Sequence, residues 1–101
     1  MLEGLFGNKS AEKVMLSIFI HGEIHASAIA QQHNTALDPI KKQLERFEEA
    51  GFLISRIVGR SKLYKFNDQH PLIKPLKQLL LIAKKTDSKI NYKPNNEIGL
   101  L

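Results

Sequence analysis

The sequence has no cysteine and no tryptophan. Without thiols there is no disulfide framework, no thiolate metal site and no cysteine-based redox switch. No run of about 18 apolar residues occurs, so no membrane-spanning helix is expected. Glu3, Gly4 and Gly7 break up the apolar residues at the N-terminus, so no signal peptide is expected and the chain is placed in the cytoplasm. A glycine-rich phosphate loop, a nucleophile motif and a spaced pair of carboxylates are also missing. The acids that are present read as helix-surface charges, so neither catalysis nor a cofactor is expected.

What is present suits one small domain. A chain of 101 residues that is 43% apolar can bury one modest core and has no room for a separate catalytic domain. Its net charge is +5 and its pI about 9.6. That balance points to a polyanionic partner, although charge alone would suit an anionic membrane surface equally well.

The most informative stretch is 26–50, which reads as two short helices joined by a tight turn. Ser27 is the expected N-cap of the first, Ile29 its apolar anchor, and Ala30 is small enough for a second helix to cross closely. Asn34 falls where the chain leaves the helix, and asparagine tolerates the left-handed conformation such a turn requires. Asp38 and Pro39 predict an N-cap and a first helical residue for the second helix. Its core face is Ile40, Leu44 and Phe47, spaced i, i+4, i+7. Around that line stand Lys41, Lys42, Gln43 and Arg46, donors able to reach phosphates and base edges from a major groove.

On either side the pattern is equally plain. Leu2, Leu5 and Phe6 form a short apolar lead-in, and Ser10 is the expected cap of a helix ending at His21, with Val14, Met15, Ile18 and Phe19 as its stripe and Gly22 as its stop. After Gly51, the β-formers of 52–58, a turn at Gly59, Arg60 and Ser61, and a returning segment 62–66 predict a β-hairpin. Between Leu53 and Phe66 stand Arg56, Arg60, Lys62 and Lys65 and no acid, so the hairpin should lie against a phosphate backbone or dip Arg60 into a minor groove. Asn67 or Asp68 could start the last helix, which Leu72 opens and Lys85 closes, with Pro75 in its first turn.

Taken in order, IAQQHN, DPIKKQLERFEEAGFL and SRIVGRSKLYKF resemble the first helix and turn, the recognition helix and the wing of winged helix-turn-helix transcription regulators from bacteria, most of all the ArsR-type subgroup. The resemblance covers residues 5–85. Asn34 stands where the family commonly has glycine, and Thr35 where it commonly has a large apolar residue. The resemblance implies a short strand at Glu23, Ile24 and His25 as the third strand of the wing sheet. The expected fold is therefore α+β and mainly helical, a winged helix-turn-helix with a β-hairpin wing and a C-terminal dimerisation helix. Residues 1–85 form the DNA-binding domain and 86–101 a mobile polar tail.

Each functional reading has an ordinary rival. Lys41, Lys42 and Arg46 would on a random basic helix be a solvated face, but here the acids Glu45, Glu48 and Glu49 gather in the second half of the helix and the lysines in the half that enters a groove. Asp38 is more readily a cap than a partner for a cytosine amino group, and Tyr64 a sheet residue rather than a stacking platform. His21, His25, His33 and His70 invite a metal reading because some relatives sense metals, yet Gly22 should break the helix that would align the first two. No metal site is assigned.

The function expected is a sequence-specific regulator binding double-stranded DNA. Asp38, Lys41, Lys42 and Gln43 lie near base edges, while Arg46, Arg56, Arg60 and Lys62 hold phosphates. Leu72, Ile73, Leu76, Leu79, Leu80, Leu81 and Ile82 surround more of the last helix than one domain can cover, predicting a homodimer through 72–85 with Leu80 or Leu81 facing outward. The alternative from another class is a winged helix serving as a protein-interaction module without DNA binding.

Overall fold

The computed structural model describes residues 2–92, and side-chain surroundings for residues 2–86. Five helices and three strands follow one another as α1 Glu3–Phe6, α2 Lys9–His21, β1 Glu23–His25, α3 Ala26–Gln32, α4 Leu37–Glu49, β2 Leu53–Val58, β3 Ser61–Phe66 and α5 Ile73–Tyr92. The lead-in places Leu2 in the core and stands Phe6 edge-on against Phe47, with ring centroids 6.4 Å apart. Leu5 is left 65% exposed.

Several helix starts differ from expectation, each for a local reason. Asn8, not Ser10, caps α2, because its Oδ1 accepts from the Ala11 amide at 2.7 Å and Ser10 already lies inside the first turn. His25, not Ser27, caps α3. It ends β1 with extended backbone, the conformation an N-cap requires, and its Nδ1 accepts from the Ala28 amide at 3.1 Å. Ser27 falls in the first turn, with its hydroxyl 3.0 Å from the same ring nitrogen. In α4 the N-cap position is Ala36, with no side-chain cap, and Asp38 and Pro39 are the second and third helical residues. Proline is tolerated there because first-turn amides have no intrahelical acceptor, and Asp38 still faces the positive end of the helix dipole.

The helix ends follow the sequence closely. Asn34 is the one non-glycine residue with positive φ among the described residues, at 51°. It lets Thr35 and Asn34 donate back to Ala30 and Gln31, at 2.9 and 3.2 Å, and so closes α3. Gly51, with φ 88°, closes α4 in the same way, with Phe52 bonded to Phe47 and Gly51 to Glu48.

The sheet is antiparallel in the order β1-β3-β2. β2 and β3 form a hairpin in which Val58 pairs with Ser61, so the turn is the two residues Gly59 and Arg60, with φ positive at Gly59 alone. β1 pairs with β3 through Glu23–Lys65, Ile24–Tyr64 and His25–Leu63, supplying the third strand of the wing sheet. Leu53, Tyr64 and Phe66 turn one face of the sheet to the core.

That core is built on α4. Ile40, Leu44 and Phe47 are buried against Val14, Met15 and Ile18 of α2 and Ile29 of α3. Truncating one such buried leucine or isoleucine to alanine costs about 2–5 kcal/mol. The opposite face of α4 is thereby held outward as one rigid surface.

α5 begins at Ile73, places Pro75 in its first turn as expected, and runs past Lys85 to Tyr92. The backbone of 86–92 is thus helical, and the rest of the expected tail lies outside the described residues. Asn67 and Asp68 do not start this helix: Asn67 binds the Gly51 carbonyl at 2.9 Å, and Asp68 pairs with Lys77 at 2.9 Å. Ile73, Leu80 and Ala83 are buried, whereas Leu72, Leu79, Leu81 and Ile82 are exposed. Leu80 therefore faces the core at 0% exposure and cannot be an outward residue; of the two residues proposed, Leu81 is the exposed one. No helix among the described residues is long and apolar enough to cross a membrane.

Candidate nucleic-acid interface

With Ile40, Leu44 and Phe47 turned inward, the 100° step of the helix turns Asp38, Lys41, Lys42, Glu45 and Glu49 outward, and all five are exposed. The lysines occupy the first half of α4. Neither has an acid partner among the described residues. Lys41 faces the hairpin across an open cleft of about 390 Å³. Lys41 and Glu45 of α4, Arg60, Ser61, Lys62 and Tyr64 of the hairpin, and His25 and Ser27 line it. Three of the cations expected from sequence, Lys41, Arg60 and Lys62, are thus brought together from two separate elements. An anion entering this cleft meets positive charge on both walls.

The other expected residues are placed differently. Gln43 is half-buried with its Oε1 shut off from solvent and without a hydrogen-bond partner, so in this conformation its amide is turned away from the outer face. Arg46 leans toward α1, with its guanidinium 4.8 Å from the centre of the Phe47 ring and its Nη2 donating to the Phe6 carbonyl at 3.4 Å. Arg56 lies on the outer face of the sheet, gripped by Glu23. Asp38 is exposed in the first turn of α4 and caps nothing.

Two carboxylates that sequence reasoning left aside prove important. Glu23 accepts from Nε and Nη2 of Arg56, both at 2.8 Å. That bidentate contact holds the Glu23 carboxyl below its usual pKa and raises that of Arg56. Glu48, on α4, accepts from the Ser55 hydroxyl at 2.6 Å and lies 3.6 Å from the Lys62 ammonium. The Lys62 ammonium also sits 5.4 Å from the centre of the Tyr64 ring, and Tyr64 first and Glu48 second raise its pKa. Both acids reach partners on other elements, Glu23 from β1 to β2 and Glu48 from α4 to the hairpin, so no motif within one element could have revealed them.

The histidines have ordinary surroundings. His33 meets the buried Ser17 hydroxyl at 3.1 Å through Nε2, His21 meets Gln32 at 3.2 Å, and His70 stacks on Phe52 with ring centres 4.5 Å apart. Among the described residues no group of three or more histidines and acids is disposed to hold a metal ion.

Two crossing helices joined by a tight turn, a scaffold helix behind them and a basic hairpin beside the second define the winged helix-turn-helix fold. No family model matches the chain, and no curated protein matches it. Solved structures do. The antimony-specific transcriptional repressor AntR is 15% identical with a TM-score of 0.66, covering 87% of this chain and 78% of that one. Reduced HlyU from Vibrio cholerae N16961 is 13% identical with a TM-score of 0.63, covering 78% and 80%. A MarR-family transcriptional regulator from Silicibacter pomeroyi is 10% identical with a TM-score of 0.67, covering 95% of this chain and 65% of that one. At these identities the likeness is one of fold.

Proposed function

We propose that this chain is a sequence-specific, double-stranded DNA-binding transcription regulator of the winged helix-turn-helix class, ArsR-like in its residue pattern, acting in the cytoplasm as a homodimer. The observation that carries the reading is the cleft in which Lys41 on α4 faces Arg60 on the hairpin, with Lys42, which has no acid partner among the described residues, next to Lys41 on the helix. A duplex fits that arrangement: the first half of α4 enters the major groove, and the hairpin follows the adjacent phosphates. Lys41 and Lys42 then stand near base edges with Asp38, and Gln43 joins them only if its amide rotates outward. Arg60 is the foremost phosphate contact, followed by Lys62 and Arg46, which must give up part of their present contacts. Arg56, held by Glu23, contributes least.

The dimer rests on the apolar side of the molecule. Leu72, Leu79, Leu81 and Ile82 are exposed along α5, and Leu5 lies beside an apolar groove of about 410 Å³ that reaches from α1 to Leu79. Two copies related by a two-fold axis would cover this surface and present two recognition helices about one DNA turn apart, near 34 Å. The same apolar surface is what favours the second reading, a protein-interaction module. Binding selection from random DNA duplexes separates the two: enrichment of a pseudo-palindrome supports the regulator, whereas no enrichment and no retained duplex supports the module.

A further inference from the structure

We infer that Glu48 is a positioning residue that fixes the angle between the recognition helix and the wing, so that an acid on the DNA-binding side of the protein favours DNA binding. The binding half of this inference rests on the DNA-binding reading above.

Glu48 projects from the last turn of α4 and engages both strands of the hairpin. Its Oε2 accepts a 2.6 Å hydrogen bond from the Ser55 hydroxyl on β2, and its Oε1 lies 3.6 Å from Lys62 on β3. Ser55 pairs with Tyr64, and the next row on the same face pairs Ile57 with Lys62. One carboxylate therefore spans two neighbouring rows and both strands. On the opposite face, Glu23 of β1 reaches across β3 to Arg56 of β2. The hairpin is thus braced on both sides, but only the Glu48 brace leads to α4.

The brace matters because little else holds the outer hairpin. Beyond Ser55 and Tyr64 the inner face of the sheet continues as Ile57 and Lys62, both exposed, and Val58 and the turn at Gly59 and Arg60 are exposed as well. Apolar burial secures the hairpin base through Leu53, Tyr64 and Phe66. Farther out, Glu48 ties α4 to the wing through Ser55 and Lys62. Electrostatics alone makes a prediction of opposite sign: deleting an acid from a surface that meets phosphates should tighten binding by reducing repulsion. A brace that orders the wing before binding removes an ordering cost that the complex would otherwise carry.

The test uses the full chain with Glu48→Ala, Glu48→Gln and Ser55→Ala, random-sequence duplex DNA as probe, and amide hydrogen exchange of the free proteins. Glu48→Ala should weaken duplex binding about tenfold, the scale that one hydrogen bond to a charged group supports. It should also speed exchange across 53–66 while leaving α2 unchanged. Glu48→Gln, which can still accept from Ser55, should recover part of both effects, and Ser55→Ala should reproduce the exchange effect without disturbing α4. If Glu48→Ala speeds exchange throughout the chain, Ser55→Ala decides, and unchanged wing exchange there overturns the inference. Equal or tighter duplex binding by Glu48→Ala overturns it, even if the wing exchanges faster. If the wild-type chain ignores duplex DNA, the DNA-binding reading fails on its own, and the exchange data still decide whether Glu48 braces the wing.

Discussion

The Glu23 carboxylate and the Arg56 guanidinium meet through two contacts of 2.8 Å, reaching from one edge strand of the sheet to the other across the middle strand. A cation so engaged is a poor phosphate donor, because DNA must compete with a carboxylate already in place. Arg56→Ala should therefore leave the salt dependence of duplex binding unchanged and lower the thermal midpoint slightly, an effect that high salt reduces. Because the folded pKa of Glu23 is depressed, the stability it contributes is present above its ordinary value of 4.5 and is lost as pH falls through the lowered value. A thermal-unfolding series from pH 7 to acid, run on wild type and Arg56→Ala, checks the sign: the two should converge at low pH.

How much of this was legible in the sequence follows from range. Contacts within one helical turn could be read: the inward line of Ile40, Leu44 and Phe47, and Asn34 and Gly51 at positive φ. Helix starts were displaced by one or two residues because several side chains compete for each cap, and the bonds that Asn8 and His25 accept from the amides three residues on decided between them. The wing's cations were countable, but their partners were not, since Glu23 lies 33 residues from Arg56 and Glu48 seven from Ser55. Leu80 could not be told from Leu81 because both lie on a helix apolar nearly all round, and only packing against the core decides which turns in.

Discrimination between sequences should reside in the first half of α4. Lys42→Ala is expected to change the sequence recovered by duplex selection, with about 1–3 kcal/mol of discrimination lost at one base position. Ile40→Ala, which opens a cavity in the core, should instead lower folding stability by about 2–5 kcal/mol while leaving the preferred sequence of the folded fraction unaltered. Selection and chemical unfolding, run side by side, separate these outcomes.

The apolar face of α5 makes oligomeric state testable. Light scattering at micromolar concentration should give about twice the mass of a single 11.5 kDa chain. Ile82→Asp, at a residue 62% exposed, should return it to one chain with little change in stability. Leu80→Asp, at a residue fully buried, should unfold the domain rather than split a dimer. A wild-type mass near one chain contradicts the dimer.

His33 supplies a pH dependence of defined sign. Partial desolvation of a ring on an otherwise exposed residue first, and Lys13 second, lower its pKa from 6.5, and its Nε2 lies 3.1 Å from the buried Ser17 hydroxyl. A depressed folded pKa means that stability is present above 6.5 and is lost as pH falls through the lowered value. Between pH 7 and pH about 5, the thermal midpoint of wild type should fall further than that of His33→Gln, a comparison that cancels the other three histidines.

The central claim, that Arg60 meets a phosphate of a DNA duplex whose base edges lie beside Lys41, is tested most directly by the slope of log affinity against log salt concentration. The wild-type chain should bind duplex DNA with a steep negative slope. Arg60→Ala should flatten it by about 0.9 for the phosphate contact removed, and Arg56→Ala should not. A wild-type affinity indifferent to salt, or slopes identical in all three proteins, would contradict the account.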